Sequence, residues 1–233
     1  MGASNIVGET DAGGPAPAET SVPESVGIEG GVSAERLLLF TDAVAAISIT
    51  LLVLPLVELV PEVASAHEGA SEVVTGHFNQ IWSFLLSFVV IANVWMEHHR
   101  TFASVEKLTR SLVVWNMGWL LSVVVIPLPT EMIGAFGPDR FVGAFYYSAL
   151  LASMVCRLAM LRILKTSPGL LNGDGQGARQ RNQDAYTESY FNVIAVVIAF
   201  AIALAVPVLQ YYSLLLLAVS QRLAPRWGRR TGR

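Results

Sequence analysis

Residues 37–56 read LLLFTDAVAAISITLLVLPL, and this stretch decides the fold of the chain. A helix needs about 20 consecutive apolar residues to cross the hydrocarbon core of a bilayer. The stretch has that length and carries a single charge, Asp42. An ionisable side chain is costly inside a membrane unless it faces protein or water. We therefore predict a transmembrane helix in which Asp42 has a functional or architectural role.

The predicted helix has two different faces. At about 100° per residue, one stripe carries branched or hydroxyl side chains at positions i, i+3, i+4 and i+7. Its members are Ile47, Thr50, Leu51 and Leu54, with Phe40 and Ala43 below them. Asp42 points about 140° away from Ile47 on such a helix. One face would thus present the stripe, while another would bury a carboxylate among neighbouring helices.

The composition of the whole chain is that of a membrane protein. Of its 233 residues, 53% are hydrophobic and only 14% are charged, and the mean hydropathy is +0.54. Soluble domains carry fewer apolar and more charged residues. The single cysteine, Cys156, makes an intrachain disulfide impossible. We predict an all-α integral membrane protein.

Further apolar stretches bring the predicted number of transmembrane helices to six. They cover residues 78–96, 111–129, 141–161 and 190–220. The last stretch is too long for one crossing, and Pro207 in its middle predicts two short helices. The membrane domain would occupy residues 34–222, and Ser33 would cap its first helix.

Charged residues predict the orientation in the membrane. Residues 1–33 contain five acids, no base and no apolar periodicity, which predicts a disordered tail and not a cleaved leader. With six spans, the bases after spans two and four fall on the same side as the basic tail 223–233. The other side carries one base, Arg140, and six acids. Four of the acids, Glu58, Glu62, Glu68 and Glu72, lie in the predicted outer loop, and the others are Glu131 and Asp139. Both termini are therefore predicted to be cytoplasmic, and Arg157, near that side, is expected to snorkel.

The sequence offers no motif on which to base an enzymatic function. It contains no GxGxxG, P-loop, CxxC or HExxH pattern, so we predict no enzyme, no cofactor, no metal site and no nucleic-acid partner. A TVGYG-like loop is also missing, which excludes a potassium filter built from backbone carbonyls. His98 and His99 follow Glu97, but adjacent histidines cannot share one helical face. Hydrogen bonds between helices are favoured there over a metal site.

Several segments resemble one known family. Residues 36–43 read RLLLFTDA, which resembles the R-x-x-x-F-S-D signature of the transmembrane protein 175 family, with threonine in place of serine. Residues 95–100 (WMEHHR), 115–116 (WN) and 127–130 (PLPT) are similar to the family's second and third helices. Animal members are lysosomal and endosomal potassium channels with two six-helix repeats. Bacterial members have one repeat and assemble as tetramers.

The resemblance implies a homotetramer in the plasma membrane whose first helices line a central pore. The pore would be constricted by Ile47, followed by Leu51 and Leu54, with Thr50 as a hydroxyl layer. The resemblance also implies a structural network that ties the first helix to the second and third. Its members would be Arg36, Phe40, Thr41, Asp42, Trp95, His98 and Asn116.

From these observations we expect a cation channel with weak to moderate selectivity for potassium, which is the permeating ion and not a bound cofactor. Two other functions remain open at this point. One is a proton-coupled transporter or proton-leak pathway that uses Asp42. The other is a membrane scaffold that conducts nothing, in which the Ile47 stripe faces lipid or packs against protein.

Overall fold

The computed structural model describes residues 33–137, 139–172 and 176–205. The described chain is helical, which confirms the predicted all-α class. A short 3₁₀ turn, Pro168–Leu170, follows the seventh helix. The α-helices are α1 (Ala34–Leu51), α2 (Leu54–Ser65), α3 (Glu72–Thr75), α4 (Phe78–Phe102), α5 (Arg110–Val125), α6 (Pro127–Phe136), α7 (Arg140–Thr166) and α8 (Gln176–Ala205).

Within the described residues, five helical segments are long and apolar enough to cross a membrane. They are Ala34–Ser65, Phe78–Phe102, Arg110–Phe136, Arg140–Thr166 and Arg179–Ile202. The chain is therefore a multi-pass membrane protein. The predicted turn at Pro207, the sixth span and both predicted tails lie outside the described residues, apart from Ser33. The domain boundaries at residues 33 and 222 stay predictions.

Prolines divide two of these segments into two helices each. The first segment is interrupted at Leu52 and Val53, just before Pro55. Proline has no backbone N–H and its ring clashes with the preceding turn, which favours an interruption of the helical ladder at this point, although α2 itself continues past Pro61. Ile126, before Pro127, separates α5 from α6 in the same way. The second helix of the first segment, α2, continues to Ser65, so about half of the predicted outer loop 58–72 is helical.

The start of α8 differs from the prediction. The apolar stretch predicted a helix from residue 190, but α8 begins at Gln176. Hydropathy marks only the apolar part of a helix, whereas the first turns of α8 are polar and pack beside α7. The Asn182 side-chain amide donates to the Leu161 carbonyl at 3.4 Å, and the Lys165 ammonium lies 4.6 Å from the centre of the Tyr186 ring.

Three helices begin at side-chain caps. The Ser33 hydroxyl accepts a hydrogen bond from the Arg36 backbone N–H at 3.2 Å, which confirms the predicted cap of α1. Thr109 caps α5 through the Leu112 N–H, and the Asp139 carboxylate accepts from two backbone N–H groups at the start of α7. Such caps satisfy donors that have no partner inside the helix.

The core lies between α4, α5, α6 and α7. Trp119, Tyr146, Ile91 and Leu112 are among its fully buried side chains. Helix α1 packs against α4 and α5 through a narrow face of Leu37, Thr41, Ala45 and Ser48, all of them buried. Small side chains let helix backbones approach closely in a membrane. This packing turns the opposite face of α1 outward.

Candidate pore helix and its supporting hydrogen bonds

The outward face of α1 carries the predicted stripe. Ile47 is 57% exposed and Leu51 is 46% exposed on the single subunit, and Thr50 is exposed between them. Leu54, at 51% exposure, lies beyond the interruption and is the first residue of α2. The stripe therefore lies on two helical segments, α1 and α2. The sequence predicts one continuous helix here, and that part of the prediction is wrong.

The Thr50 hydroxyl has a defined orientation. It donates to the Ile47 carbonyl of its own helix at 2.8 Å. A hydroxyl has one hydrogen and two acceptor lone pairs. Because the hydrogen is used within the helix, the oxygen of Thr50 is left to act as an acceptor on the exposed face.

Asp42 is held by α4, on a different side of α1 from the stripe. The Trp95 indole donates to one carboxylate oxygen at 2.8 Å, and the His99 Nδ1 donates to the other at 2.9 Å. Trp95 and His99 are four residues apart, so they lie on the same face of α4. The Asp42 side chain is 22% exposed. Both of its oxygens are thus engaged in a contact between helices.

A second set of hydrogen bonds joins three helices and is fully buried. His98 on α4 donates through Nε2 to the Asn116 carbonyl oxygen on α5 at 2.7 Å. The Asn116 amide donates to the Thr41 hydroxyl on α1 at 2.9 Å, and Thr41 donates to the Leu37 carbonyl at 2.8 Å. We call these three side chains, Thr41, Asn116 and His98, the buried triad. The three hydrogen bonds pair most of the polar atoms of the buried triad, as buried polar groups require, whereas His98 Nδ1 has no hydrogen-bond partner among the described residues.

Aromatic rings enclose the histidine of the buried triad. The His98 ring stacks between Trp119, with ring centres 3.9 Å apart, and Phe102, at 4.6 Å. Adjacent His99 points instead to Asp42, so the two histidines contact different partners on α1 and α5. Among the residues described here, no group of three or more His, Cys, Asp or Glu side chains is arranged to hold a metal ion.

The structure does not bring two of the predicted network residues into these hydrogen bonds. Arg36 is exposed, and its bond to Ser33 uses its backbone N–H. Phe40 is 52% exposed on the outward face of α1. The five others, Thr41, Asp42, Trp95, His98 and Asn116, lie together at the contacts of α1 with α4 and α5. The functional roles of all seven residues stay predictions.

His98 and His99 form the hydrogen bonds between helices that the sequence favours over a metal site, but the sequence identified neither Asp42 as the partner of His99 nor a partner for Glu97. His99 completes the contact with Asp42, and its spacing of four residues from Trp95 is the signal that could have identified it. Glu97 forms an ion pair with Arg157 on α7 at 2.8 Å. The prediction that Arg157 snorkels is therefore wrong, since this side chain is only 8% exposed and is paired inside the bundle.

Comparison with known proteins identifies the family. Residues 36–127 match the family described as the endosomal/lysosomal potassium channel TMEM175, a range that contains all but the first two residues of α1 and both groups of hydrogen bonds described above. A potassium channel of Chamaesiphon minutus is 30% identical over 177 residues, which cover 72% of this chain and 83% of that protein. This chain belongs to the TMEM175 family.

Other TMEM175 relatives match a smaller part of their own length. A potassium channel of Streptomyces collinus is 33% identical over 122 residues, or 51% of this chain and 58% of that protein. The mouse endosomal/lysosomal proton channel TMEM175 is 31% identical over 133 residues, which cover 57% of this chain but 26% of the mouse protein. The TMEM175 relatives thus include proteins named as potassium channels and proteins named as proton channels.

A solved structure of the TMEM175 family has the same fold. The crystal structure of a lysosomal potassium-selective channel TMEM175 homolog from Chamaesiphon minutus superposes with a TM-score of 0.68 at 24% sequence identity. The superposition covers 82% of this chain and 97% of that one.

Proposed function

We propose that this chain is a potassium-selective cation channel of the plasma membrane, assembled as a homotetramer with α1 of each subunit around a central pore. The observation that carries the proposal is the exposed apolar stripe on α1, opposite a face that is fixed by hydrogen bonds to α4 and α5. One helix cannot enclose a pore, but a closed ring of identical subunits can. The bacterial relatives named as potassium channels support the same function.

Ile47 would form the constriction of such a pore. Four isoleucine side chains around one axis make an apolar ring, which can stop conduction by losing its water. An ion passing a dry ring sheds hydration without gaining replacement ligands, and this raises the barrier for every ion. Leu51 would add a second apolar layer on the same face.

Thr50 would supply the selectivity that an apolar ring lacks. Its hydroxyl hydrogen is used by the Ile47 carbonyl, so the oxygen is available to face a cation. Four such oxygens would replace part of the hydration shell of a permeating ion. A layer of this kind favours the cation that loses its water more readily, and we therefore expect weak to moderate preference for K⁺ over Na⁺.

The hydrogen bonds of Asp42 argue for a structural role and against the proton pathway. Its two oxygens are engaged by Trp95 and His99, away from the stripe. An acid that is occupied in this way holds the rotation of α1, so that Ile47 faces the axis of the assembly. We propose that the buried triad acts with Asp42 in fixing this rotation.

The orientation of the channel follows from its basic residues. Arg100 at the end of α4 and Arg181 at the start of α8 line one cavity together with Leu161 of α7, so these three helix ends share one side of the membrane. Bases are enriched on the cytoplasmic side of membrane proteins. We propose that this side is cytoplasmic, as are both termini.

Single-channel recording in planar bilayers tests the constriction. Ile47→Asn should wet the ring, raise the conductance and weaken the discrimination between K⁺ and Na⁺. Thr50→Ala should leave the barrier in place and shift the reversal potential toward equal permeability. Leu121→Asn is the matched control, since Leu121 is 66% exposed but lies on α5, and it should leave both quantities unchanged.

Two results would contradict the proposal. If Ile47→Asn matches the unchanged protein in conductance and reversal potential, Ile47 does not form the constriction. If the reversal potential of the unchanged protein follows an imposed pH gradient and not the K⁺ gradient, the chain conducts protons. Native mass spectrometry of the purified protein measures the number of subunits independently of conduction.

A further inference from the structure

A cavity of about 490 Å³ opens between the end of α4, the second half of α7 and the first turns of α8. This volume is in the range of pockets that hold small molecules. It lies away from the stripe of α1, so it is separate from the candidate pore. Its charged lining consists of Arg100, Arg157, Arg181, Glu97 and Glu188.

The arginines dominate the lining of this cavity. Arg157 and Glu97 neutralise each other through their 2.8 Å ion pair. The remaining charged side chains are Arg100, Arg181 and Glu188. Together they give the lining one net positive charge. Both Arg100 and Arg181 are exposed at the rim, where they are accessible to a ligand.

Arg157 lines this cavity and also carries a buried donor without a partner. The side chain is 8% exposed and lines the cavity, and its Nε has no hydrogen-bond acceptor among the residues that the structure describes. A buried N–H that lacks an acceptor is costly and uncommon in a folded protein. The Nε is enclosed by protein, so we assign ligand binding to the exposed arginines at the rim and not to this atom.

The chemistry of the lining favours a phosphate group. The planar guanidinium forks of arginine match the oxygens of phosphate and bind them with two parallel hydrogen bonds. Arg100 and Arg181 together offer more donors than the two oxygens of a carboxylate can use, whereas a phosphate presents more acceptor oxygens. We propose that this cavity binds a phosphate group, carried either by an anionic lipid or by a soluble phosphate compound.

Binding to the purified full-length protein tests this proposal without any measurement of conduction. In one arm, the thermal unfolding temperature is measured with sodium phosphate and with sodium chloride at equal ionic strength. In the other arm, dioleoylphosphatidic acid is titrated and bound lipid is counted by native mass spectrometry, with dioleoylphosphatidylcholine for comparison. Stabilisation by phosphate alone identifies a soluble ligand, and retention of phosphatidic acid over phosphatidylcholine identifies a lipid.

Substitutions at the rim locate the site. The double variant Arg100→Gln/Arg181→Gln should weaken binding of the active probe about tenfold, since each change removes a charge-assisted donor pair. Arg179→Gln is the matched control. It removes one positive charge from α8, as Arg181→Gln does, but Arg179 lines a separate, smaller cavity beside Lys165, and binding should be unchanged.

The variant Glu188→Gln distinguishes a loss of the binding site from a loss of the fold. It removes a negative charge from the lining and should tighten binding several-fold, a gain that a damaged protein would not show. The proposal is overturned if neither probe binds, if the double variant binds like the unchanged protein, or if Arg179→Gln weakens binding as much as the double variant does.

Discussion

Replacing Asn116 with leucine should release α1 from the two helices that hold it. Asn116 accepts from His98 and donates to Thr41, and all three side chains are fully buried. Leucine has the same number of side-chain heavy atoms in the same branched arrangement, so the change removes hydrogen bonds without opening a cavity, although its bulkier methyl groups add some overpacking at this buried site. His98 keeps its place between Trp119 and Phe102, but its Nε2–H loses the acceptor that it has in the native structure.

The expected loss of stability follows from the two hydrogen bonds. Between helices in membranes such bonds contribute about 0.6 kcal/mol on average and at most about 1.7 kcal/mol each. Two of them give about 1 to 3 kcal/mol. We expect the upper half of this range, because the burial of the triad leaves the His98 donor without access to water.

The chain offers a matched control for this variant. Asn93 on α4 has a buried side-chain amide nitrogen without a hydrogen-bond partner among the described residues. Removing an unsatisfied buried donor is neutral or stabilising. Asn93→Leu should therefore leave the free energy of unfolding unchanged or raise it, although the chemical change is identical.

Thermal unfolding of the purified proteins in detergent, followed by tryptophan fluorescence, measures the difference. For a chain of this size, a loss of 1 kcal/mol lowers the unfolding temperature by about 2 to 4 °C. If Asn116→Leu and Asn93→Leu unfold at the same temperature as the unchanged protein, the buried triad does not stabilise the fold, and its proposed role in fixing α1 is wrong.

Three further changes test other parts of the structure. Asp42→Ala leaves Trp95 and His99 without their acceptor and should lower the unfolding temperature and the yield of tetramer on size-exclusion chromatography; a stable tetramer with altered ion selectivity would instead move the carboxylate into the pore. In Gly134→Ala, the new Cβ would lie 2.9 Å from the Cγ and 3.2 Å from the Cα of Gln80. Helices α4 and α6 must then separate, which should lower the free energy of unfolding by about 1 to 3 kcal/mol. Gly69→Ala is the control, because a Cβ at Gly69 has enough space. Neutralising the outer acids should reduce conductance mainly at low ionic strength, since their field is screened within about 10 Å at 0.1 M salt, and an unchanged conductance there would show that they lie far from the entrance. The acids to be replaced by glutamine are Glu58, Glu62, Glu68 and Glu72.

Local patterns in the sequence predicted several features of α1. The Ser33 cap depends on residues within one helical turn, and the outward direction of Ile47 and Thr50 follows from helical periodicity. The separate directions of Asp42 and Ile47 follow from the same geometry. Pro55 pointed to a possible interruption of the helix, but proline does not always end one, as Pro61 inside α2 shows, and the apolar character of residues 37–56 favoured a single span.

The features that the sequence could not predict depend on contacts between distant segments. Nothing near Arg157 in the sequence identifies Glu97 as its partner, so snorkelling was the reasonable prediction for a base near the end of a span. The early start of α8 has a similar origin. Asn182 and Tyr186 contact α7, which supports the polar first turns of α8. Hydropathy describes each residue by itself and therefore cannot predict a contact with another helix.

The pairing of Glu97 with Arg157 has a consequence for the biogenesis of the protein. A charge costs about 2.5 to 3.5 kcal/mol at the centre of a helix entering the bilayer and less toward its ends, where Glu97 lies. Helix α4 precedes α7 in synthesis, so Glu97 reaches the membrane before its partner exists. The charge of Glu97 is therefore compensated only after α7 has been made, so this ion pair forms late in the assembly of the bundle.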